Sequence, residues 1–232
     1  MSLMSSAPPR SAGGERSGAP AAIRSTRAVF LVLGIVTAAW APLVPDLKLR
    51  LALDDAELGL MLLCIGGGSL LAAPVTGLVV ARVGCRAVML GLGVVFCATL
   101  PAMTVMPGVA LTAVALAVFG ATIAGIDVAM NIQAVAVERA AGRPMMSGFH
   151  GLFSLGGLGG ASLVSVLLAL GAVPLAAAMG VALGGGRGVA DAGAGDAGAG
   201  GGAGGGDGGA AWAARADRGV VFHRLHGRGR GA

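Results

Sequence analysis

The chain has 232 residues, of which 56% are hydrophobic, 12% are charged and 3% are aromatic. Soluble domains carry about 25% charged residues, so this composition excludes an ordinary soluble globular protein and indicates a polytopic membrane protein. The formal net charge of +5 does not indicate nucleic-acid binding, because ten of the sixteen basic residues lie in the first 27 or the last 46 residues. The sequence has no basic patch interleaved with aromatic residues.

Six apolar segments follow an N-terminal tail at 1–27, which is rich in Ser, Ala, Pro, Gly and Arg and is expected to be disordered. Because the first apolar run is long and others follow it, a cleaved signal peptide is not expected. The sixth segment is shorter than the about 20 residues that cross a bilayer, which predicts an incomplete last span. The six predicted membrane helices cover residues 28–45, 58–81, 87–106, 109–137, 147–171 and 173–184.

Helix ends and orientation follow from local signals. Pro42 and Pro45 predict that the first helix bends or ends there. The acidic residues at 54–57 suit the start of the second helix, where negative charge favours the helix dipole. Pro107 and Gly108 predict a turn before the fourth helix. Basic loops alternate with loops that lack a basic excess, which predicts that the N-terminus lies in the cytoplasm.

Neither an enzyme active site nor a cofactor or metal site is predicted. Cys64, Cys85 and Cys97 lack the spacing of metal ligands and are interpreted as small hydrophobic residues. The sequence has no Ser-His-Asp set, and its glycine tracts do not follow a strand as those of a phosphate loop do. The chain is therefore not expected to be an enzyme.

The fourth predicted helix carries the most informative polar residues. Asp127 and Asn131 are four residues apart and share one helix face. Ala121, Gly125 and Ala129 form a row of small residues on nearly the opposite face, which is expected to pack closely on a neighbouring helix. An ionised Asp at the bilayer centre costs about 2.5–3.5 kcal/mol on insertion scales, so Asp127 is expected to face a cavity or the bundle interior.

Four other residues are candidates for a substrate or ion site. Gln133 lies about 120° around the helix from Asp127. His150 and Ser154 share a face of the fifth helix, although His150 also fits a solvated histidine at the membrane surface. Trp40 fits either an interfacial anchor or a ring that lines a cavity. The alternative role for Asp127 is an ion pair or amide bond that holds helices together.

The loop after the second predicted helix carries Gly77, Arg82, Gly84 and Arg86. Their order and spacing resemble a pattern of major facilitator superfamily (MFS) transporters: a Gly, three residues, Asp-Arg, one residue, then Gly and basic residues. The resemblance implies that these four residues form a conformational-gate loop. Ala81 stands where the family commonly has Asp, which puts the family's salt-bridge gate in doubt, and the two arginines also fit a role in topology alone.

A second resemblance lies in the segment 125–138, in Gly142-Arg-Pro144 and in the segment 147–151. These resemble a bacterial branch of the superfamily whose members are mostly transporters of unassigned substrate. The match covers about residues 28–184 and implies the N-terminal half of a transporter, built from two inverted three-helix repeats. A central cavity would lie between this half and a second six-span half, and the two halves would rock in an alternating-access cycle.

The resemblance also implies a function. Asp127 and Trp40 would line the central cavity, with Asp127 as the proton or cation site and with Asn131 and Gln133 as hydrogen-bonding partners of a polar substrate. We therefore expect secondary active transport of a small solute, coupled to protons or another ion, in the inner membrane of a bacterium. The expected partners are that solute, a coupling proton and the lipid bilayer, and nucleic acid is not among them.

After about residue 184 the composition changes to mostly Gly, Ala and Asp, and residues 223–230 are basic. The tail at 185–232 can neither bury a core nor span a membrane, so it is expected to be disordered. It is either a genuine cytoplasmic extension or the product of a shifted reading frame. We favour the shifted frame, because one permitted codon choice for 223–230, read one base later, encodes the apolar run Ile-Ala-Phe-Met-Ala-Glu-Gly.

Two other functions stay open. A single six-span half cannot enclose a two-sided cavity without a C-terminal half or a second copy, so one alternative is a truncated membrane fragment that does not transport. The other alternative is a membrane-embedded interaction subunit whose glycine-rich tail acts as a tether. The sequence does not distinguish sugars, drugs and organic acids as substrates.

Overall fold

The computed structural model describes residues 15–199, with side chains described from 20 to 192. Every regular element in this range is helical, which confirms the predicted all-α membrane bundle. The helices are α1 (Glu15–Ala38), a 3-10 turn (Ala41–Leu43), α2 (Val44–Arg50), α3 (Asp55–Val83), α4 (Cys85–Val105), α5 (Gly108–Ala141), α6 (Met146–Ala169) and α7 (Pro174–Ala199).

Four helical segments of the described chain are long and apolar enough to cross a membrane. The first includes α1 and α2, the second includes α3 and α4, and α5 and α6 are the other two. The predicted separation of the second and third spans is supported by the break at Gly84 between α3 and α4. These segments are Pro20–Arg50, Asp55–Val105, Gly108–Ala141 and Met146–Ala169.

The helix ends have local causes that the sequence signals anticipate. Helix α1 ends at Ala38, and Pro42 and Pro45 then lie at the starts of the 3-10 turn and of α2, where proline is tolerated. Helix α3 begins with a capping box: Asp54 Oδ1 accepts from the Glu57 amide at 2.8 Å, and Glu57 Oε2 accepts from the Asp54 amide at 2.9 Å.

Both ends of the described chain are more helical than the composition predicts. Helix α1 begins at Glu15, inside the tail that was expected to be disordered. Helix α7 runs from Pro174 to Ala199, so the sixth helix extends through the glycine-rich sequence after residue 184. It does so because its apolar start packs on α1 and α4, where glycines fit close to Val32 and Val36. The remaining tail predictions, at 1–14 and 200–232, lie outside the described residues.

Two helix pairs make the closest approaches in the bundle, and both do so at glycines. Helix α3 packs along α5, and α1 packs along α6. A Cβ atom on Gly68 or Gly120 would collide with a backbone carbonyl of the partner helix in the first pair. Gly34 and Gly156 have the same relation in the second pair. A side chain larger than hydrogen would force each pair apart, as in other tightly packed membrane helices.

These two crossings correspond residue by residue. In the first contact, Gly34 of α1 meets the carbonyl of Phe153, and the equivalent contact is that of Gly120 of α5 with the carbonyl of Ile65. In the second contact, Gly156 of α6 meets the carbonyl of Leu31, and the equivalent contact is that of Gly68 of α3 with the carbonyl of Ala117. Positions on α1 and α5 are offset by 86 residues in both contacts, and positions on α3 and α6 by 88. Helix α4 also packs on α5 as α7 packs on α1. This constant offset supports the internal repeat that the resemblance implies.

The core lies where α1, α4, α5 and α6 meet and contains four phenylalanine side chains. Phe30 and Phe149 stack with ring centroids 5.4 Å apart, and Phe96 and Phe119 stack at 5.0 Å. All four are buried. Because Phe119 is on α5 and Phe149 is on α6, this packing fixes the two helices that carry most of the candidate site residues.

Candidate functional site

The faces of α5 separate packing from polar chemistry, as the four-residue spacing predicts. Ala129 and Gly125 are buried, and Gly125 lies against Leu92 of α4 and Thr76 of α3. Asp127 lies on the opposite side of α5 and is exposed. Its carboxylate is therefore on the surface of the described bundle and not in the bundle interior.

Asn131 holds the carboxylate of Asp127 from one helical turn away. Its Nδ2 donates to Asp127 Oδ1 at 3.1 Å and to the Asp127 carbonyl oxygen at 2.9 Å. Because both hydrogen bonds join residues of the same helix, they do not hold two helices together. It orients the carboxylate and leaves the second carboxylate oxygen available for another donor.

Helix α6 brings His150 and Ser154 to the same side of the bundle. His150 is exposed and lies within electrostatic range of the Asp127 carboxylate. Its ring stands edge-on to Phe30 of α1, with centroids 5.5 Å apart. Ser154, also exposed, donates to the His150 carbonyl oxygen at 3.1 Å. We call the surface formed by Asp127, Asn131, His150 and Ser154 the polar face.

The structure does not bring Gln133 or Trp40 to the polar face. Gln133 lines a separate small cavity together with Thr26 and Arg86. Trp40 is half-buried and packs against Phe119, with ring centroids 6.2 Å apart. Phe119 precedes Asp127 by eight residues, or about 12 Å along the helix axis. Trp40 therefore packs against the core and lines a second, smaller cavity. The sequence could not distinguish this position from an interfacial anchor or from a ring in the central cavity.

The predicted gate loop is a single-residue connection. Arg82 lies in the last turn of α3, Gly84 links the helices with φ = 84°, and Arg86 lies in the first turn of α4. Gly77 lies inside α3, two turns from the loop. Both arginines are exposed, and within the described residues neither forms an ion pair. With Ala81 in place of an acid, the loop lacks a carboxylate of its own.

Two charged residues that sequence reasoning did not select fix the ends of neighbouring helices. Glu138 of α5 accepts from the backbone amides of Met145 at 2.6 Å and Met146 at 2.8 Å, and so caps the start of α6. Arg50 donates to the carbonyl oxygens of Met103 at 2.8 Å and Met106 at 2.6 Å at the end of α4. The sequence signals that could have identified these two residues are an acid near a helix start and a base near a helix end.

Among the described residues, no group of three or more His, Cys, Asp or Glu side chains is arranged to hold a metal ion. The three cysteines are free and half-buried within helices α3 and α4. The polar face offers one carboxylate, one amide, one imidazole and one hydroxyl, a set that suits hydrogen bonding and proton exchange.

Comparison with known proteins identifies relatives of the chain. It is 60% identical over 155 residues to an uncharacterized MFS-type transporter of Yersinia pestis. The resemblance to the major facilitator superfamily is confirmed. The aligned part is 67% of this chain and 40% of that transporter. A transporter of Sinorhizobium fredii is 35% identical over 60% of this chain and 37% of its own length.

A third relative, the membrane protein MosC of Rhizobium meliloti, is 33% identical over 56% of this chain and 32% of its own length. The chain thus spans less than half the length of these relatives. No family model and no solved structure matches the chain.

Proposed function

We propose that the chain forms one half of a secondary active transporter, in which the polar face lines the path of a small solute. Asp127 is the coupling site for a proton or another cation, Asn131 orients its carboxylate, and His150 lies beside it on α6. The observation that carries this proposal is the exposed Asp127–Asn131 pair beside His150 on two apolar, membrane-length helices.

The energetics of lipid exposure support a covered polar face. A charged side chain at the bilayer centre costs about 2.5–3.5 kcal/mol on insertion scales, and simulations give larger values. Asp127 lies near the middle of α5, in a segment with 34 residues. An arrangement that turns this face toward acyl chains is therefore unfavourable. Water in a cavity, enclosed by a second half or by a second copy of the chain, removes the cost.

The names of two relatives support transport as the activity of the whole protein, and the length of the relatives supports a partner for this chain. The relatives are at least twice as long as the part that aligns. We propose that the missing counterpart is a C-terminal half or a second copy, and that the two rock about the polar face by alternating access. The alternating basic loops support an N-terminus in the cytoplasm of a bacterial cell.

The test is coupled transport by the purified chain. Proteoliposomes that contain a pH-sensitive dye receive inward gradients of sugars, organic acids and cationic drugs in turn. We expect one class of solute to move protons with it, and we expect Asp127→Asn to abolish that flux. Asp191→Asn, which changes an exposed acid on α7, is the matched control and should retain the flux.

Oligomeric state separates the proposal from its alternatives. If the chain transports by itself, its mass in detergent should be that of a dimer, since a single half cannot enclose a two-sided path. A monomer without solute-driven proton flux would contradict transport by this chain and favour the non-transporting fragment. Equal flux in the wild type and in Asp127→Asn would instead contradict the role of Asp127.

A further inference from the structure

A small cavity separate from the polar face lies between α1, α4, α5 and α7. Its volume is about 30 Å³, which is enough for one or two water-sized groups. Its polar lining comes from Ser25 and Thr26 of α1, Arg86 of α4 and Gln133 of α5. Among the described residues, its lining includes no acid. Neither the proposed transport path nor the relatives' names assign a role to this cavity.

Thr26 is an unusual threonine within this bundle. Its side chain is only 3% exposed, and its hydroxyl has no hydrogen-bond partner in the structure. The carbonyl of Ala22, one turn back, already accepts a hydrogen bond from Ser25 Oγ at 3.0 Å. Thr37 is the other described threonine without a partner. The remaining five bond to a carbonyl of their own helix: Thr76, Thr99, Thr104, Thr112 and Thr122.

A buried hydroxyl without a partner is costly, about 1–3 kcal/mol by mutational data. Thr26 is therefore expected to bond to something inside the cavity that it lines. Such a group has to be small, because the cavity holds little more than one or two atoms of the size of oxygen. A group that accepts a hydrogen bond would satisfy the donor of this hydroxyl.

Among the described residues, Arg86 is the charged side chain that lines the cavity, and Asp191 is exposed next to the lining residue Ala192. Arg86 forms no ion pair within the described chain. Arg86 is the second residue of α4, and the start of that helix has neither a side-chain cap nor an acid in its first turn. Its free amides and dipole favour negative charge. Arg24 and Arg27 flank Thr26 in the sequence and are exposed.

We propose that this cavity binds a monovalent inorganic anion of the size of chloride. Thr26 Oγ1 donates a hydrogen bond to the anion, and the guanidinium of Arg86 supplies the balancing charge. The anion thereby joins α1 to α4 at the cavity that both helices line. Its expected effect is to stabilise the fold, independently of any transport through the polar face.

The test is the thermal unfolding of the full chain, purified in detergent, in sodium chloride or bromide against sodium gluconate at equal ionic strength. We expect a saturable rise in the melting temperature with halide. Thr26→Val removes the hydroxyl at nearly constant shape, and Arg86→Gln removes the charge. Each should weaken the apparent halide affinity at least about tenfold, as expected for a lost hydrogen bond to a charged group. Thr37→Val, which removes the other unpartnered threonine hydroxyl, should respond as the wild type does.

Chloride-35 nuclear magnetic resonance of the wild-type protein is the second measurement and needs no variant to fold. Bound chloride should broaden the line, and bromide should compete the broadening away. Identical melting temperatures in halide and gluconate, or no broadening, would overturn the proposal and leave an ordered water as the occupant. If Thr26→Val and Thr37→Val had the same halide response, the assignment of the anion to this cavity would be overturned.

Discussion

The carboxylate of Glu138 accepts a 2.6 Å hydrogen bond from the backbone amide of Met145. The same carboxylate oxygen accepts from the next amide at 2.8 Å. Glu138 lies near the end of α5, and these amides lie at the start of α6, so one side chain joins the ends of the two helices. His150 lies one turn into α6 and Asp127 three turns back along α5. The spacing of the polar face thus depends on a residue outside it.

Replacement of Glu138 by Gln should lower the melting temperature of the protein. The neutral amide still offers one oxygen, but it loses the negative charge that strengthens both bonds at a helix start. Arg139→Gln is the control, because Arg139 is exposed on the same turn. Thermal unfolding in detergent measures both. Equal melting temperatures for the two variants would show that the capping contact does not stabilise the fold.

Replacement of Gly120 by Ala should destabilise the pairing of α3 with α5. The added methyl group meets the carbonyl of Ile65, which cannot move aside as a side chain can. Overpacking of this kind costs about 1–3 kcal/mol. Gly67→Ala is the matched control: nothing lies within 4 Å of its added methyl group, and Ala is the better helix former by about 1 kcal/mol. The midpoint of unfolding should fall for the first variant and stay or rise for the second.

Replacement of Arg50 by Ala should also destabilise the protein, by about 1.5–3 kcal/mol for charged hydrogen bonds to two carbonyl groups. Those carbonyls, of Met103 and Met106, lie at the end of α4 and have no further helical turn to bond them. Arg143→Ala removes an exposed arginine from a loop and serves as the control. A change in unfolding free energy that is the same for both variants would contradict the capping role.

Cysteine labelling can test which face of α5 is accessible. In a background where the three native cysteines are replaced by Ala, Asp127→Cys should react with a soluble maleimide at least about tenfold faster than Ala129→Cys. The reason is that Asp127 is exposed and Ala129 is completely buried. Similar rates at the two positions would contradict the orientation of the helix.

The helix class and the two faces of α5 could be predicted from the sequence because apolar length and four-residue spacing are local properties. Asp127 and Asn131 share a face in any α-helix, so their hydrogen bond follows from position alone. The approach of His150 to Asp127 could not be predicted in this way. It depends on how α6 crosses its neighbours, which glycines and the Glu138 cap decide.

The length of α7 could not be predicted from the sequence composition. Composition argues that a glycine-rich sequence does not form a helix, since glycine costs about 1 kcal/mol relative to alanine at each position. The structure continues the helix through Gly185 and Gly188 because these residues lie against Val36 and Val32 of α1. Tertiary packing thus outweighs local propensity there, and no window of the sequence contains both helices.

The glycine crossings between α1 and α6 and between α3 and α5 place an unequal constraint on evolution. At each crossing the obstacle to a larger side chain is a main-chain carbonyl, which every amino acid has. A substitution at Gly34, Gly68, Gly120 or Gly156 therefore has no compensating mutation at the residue that it meets. The backbone itself thus restricts the glycines, whichever residue stands at the facing position. Pairs of co-varying positions, on which contact prediction from homologous sequences depends, should thus be missing at the tightest contacts of this fold.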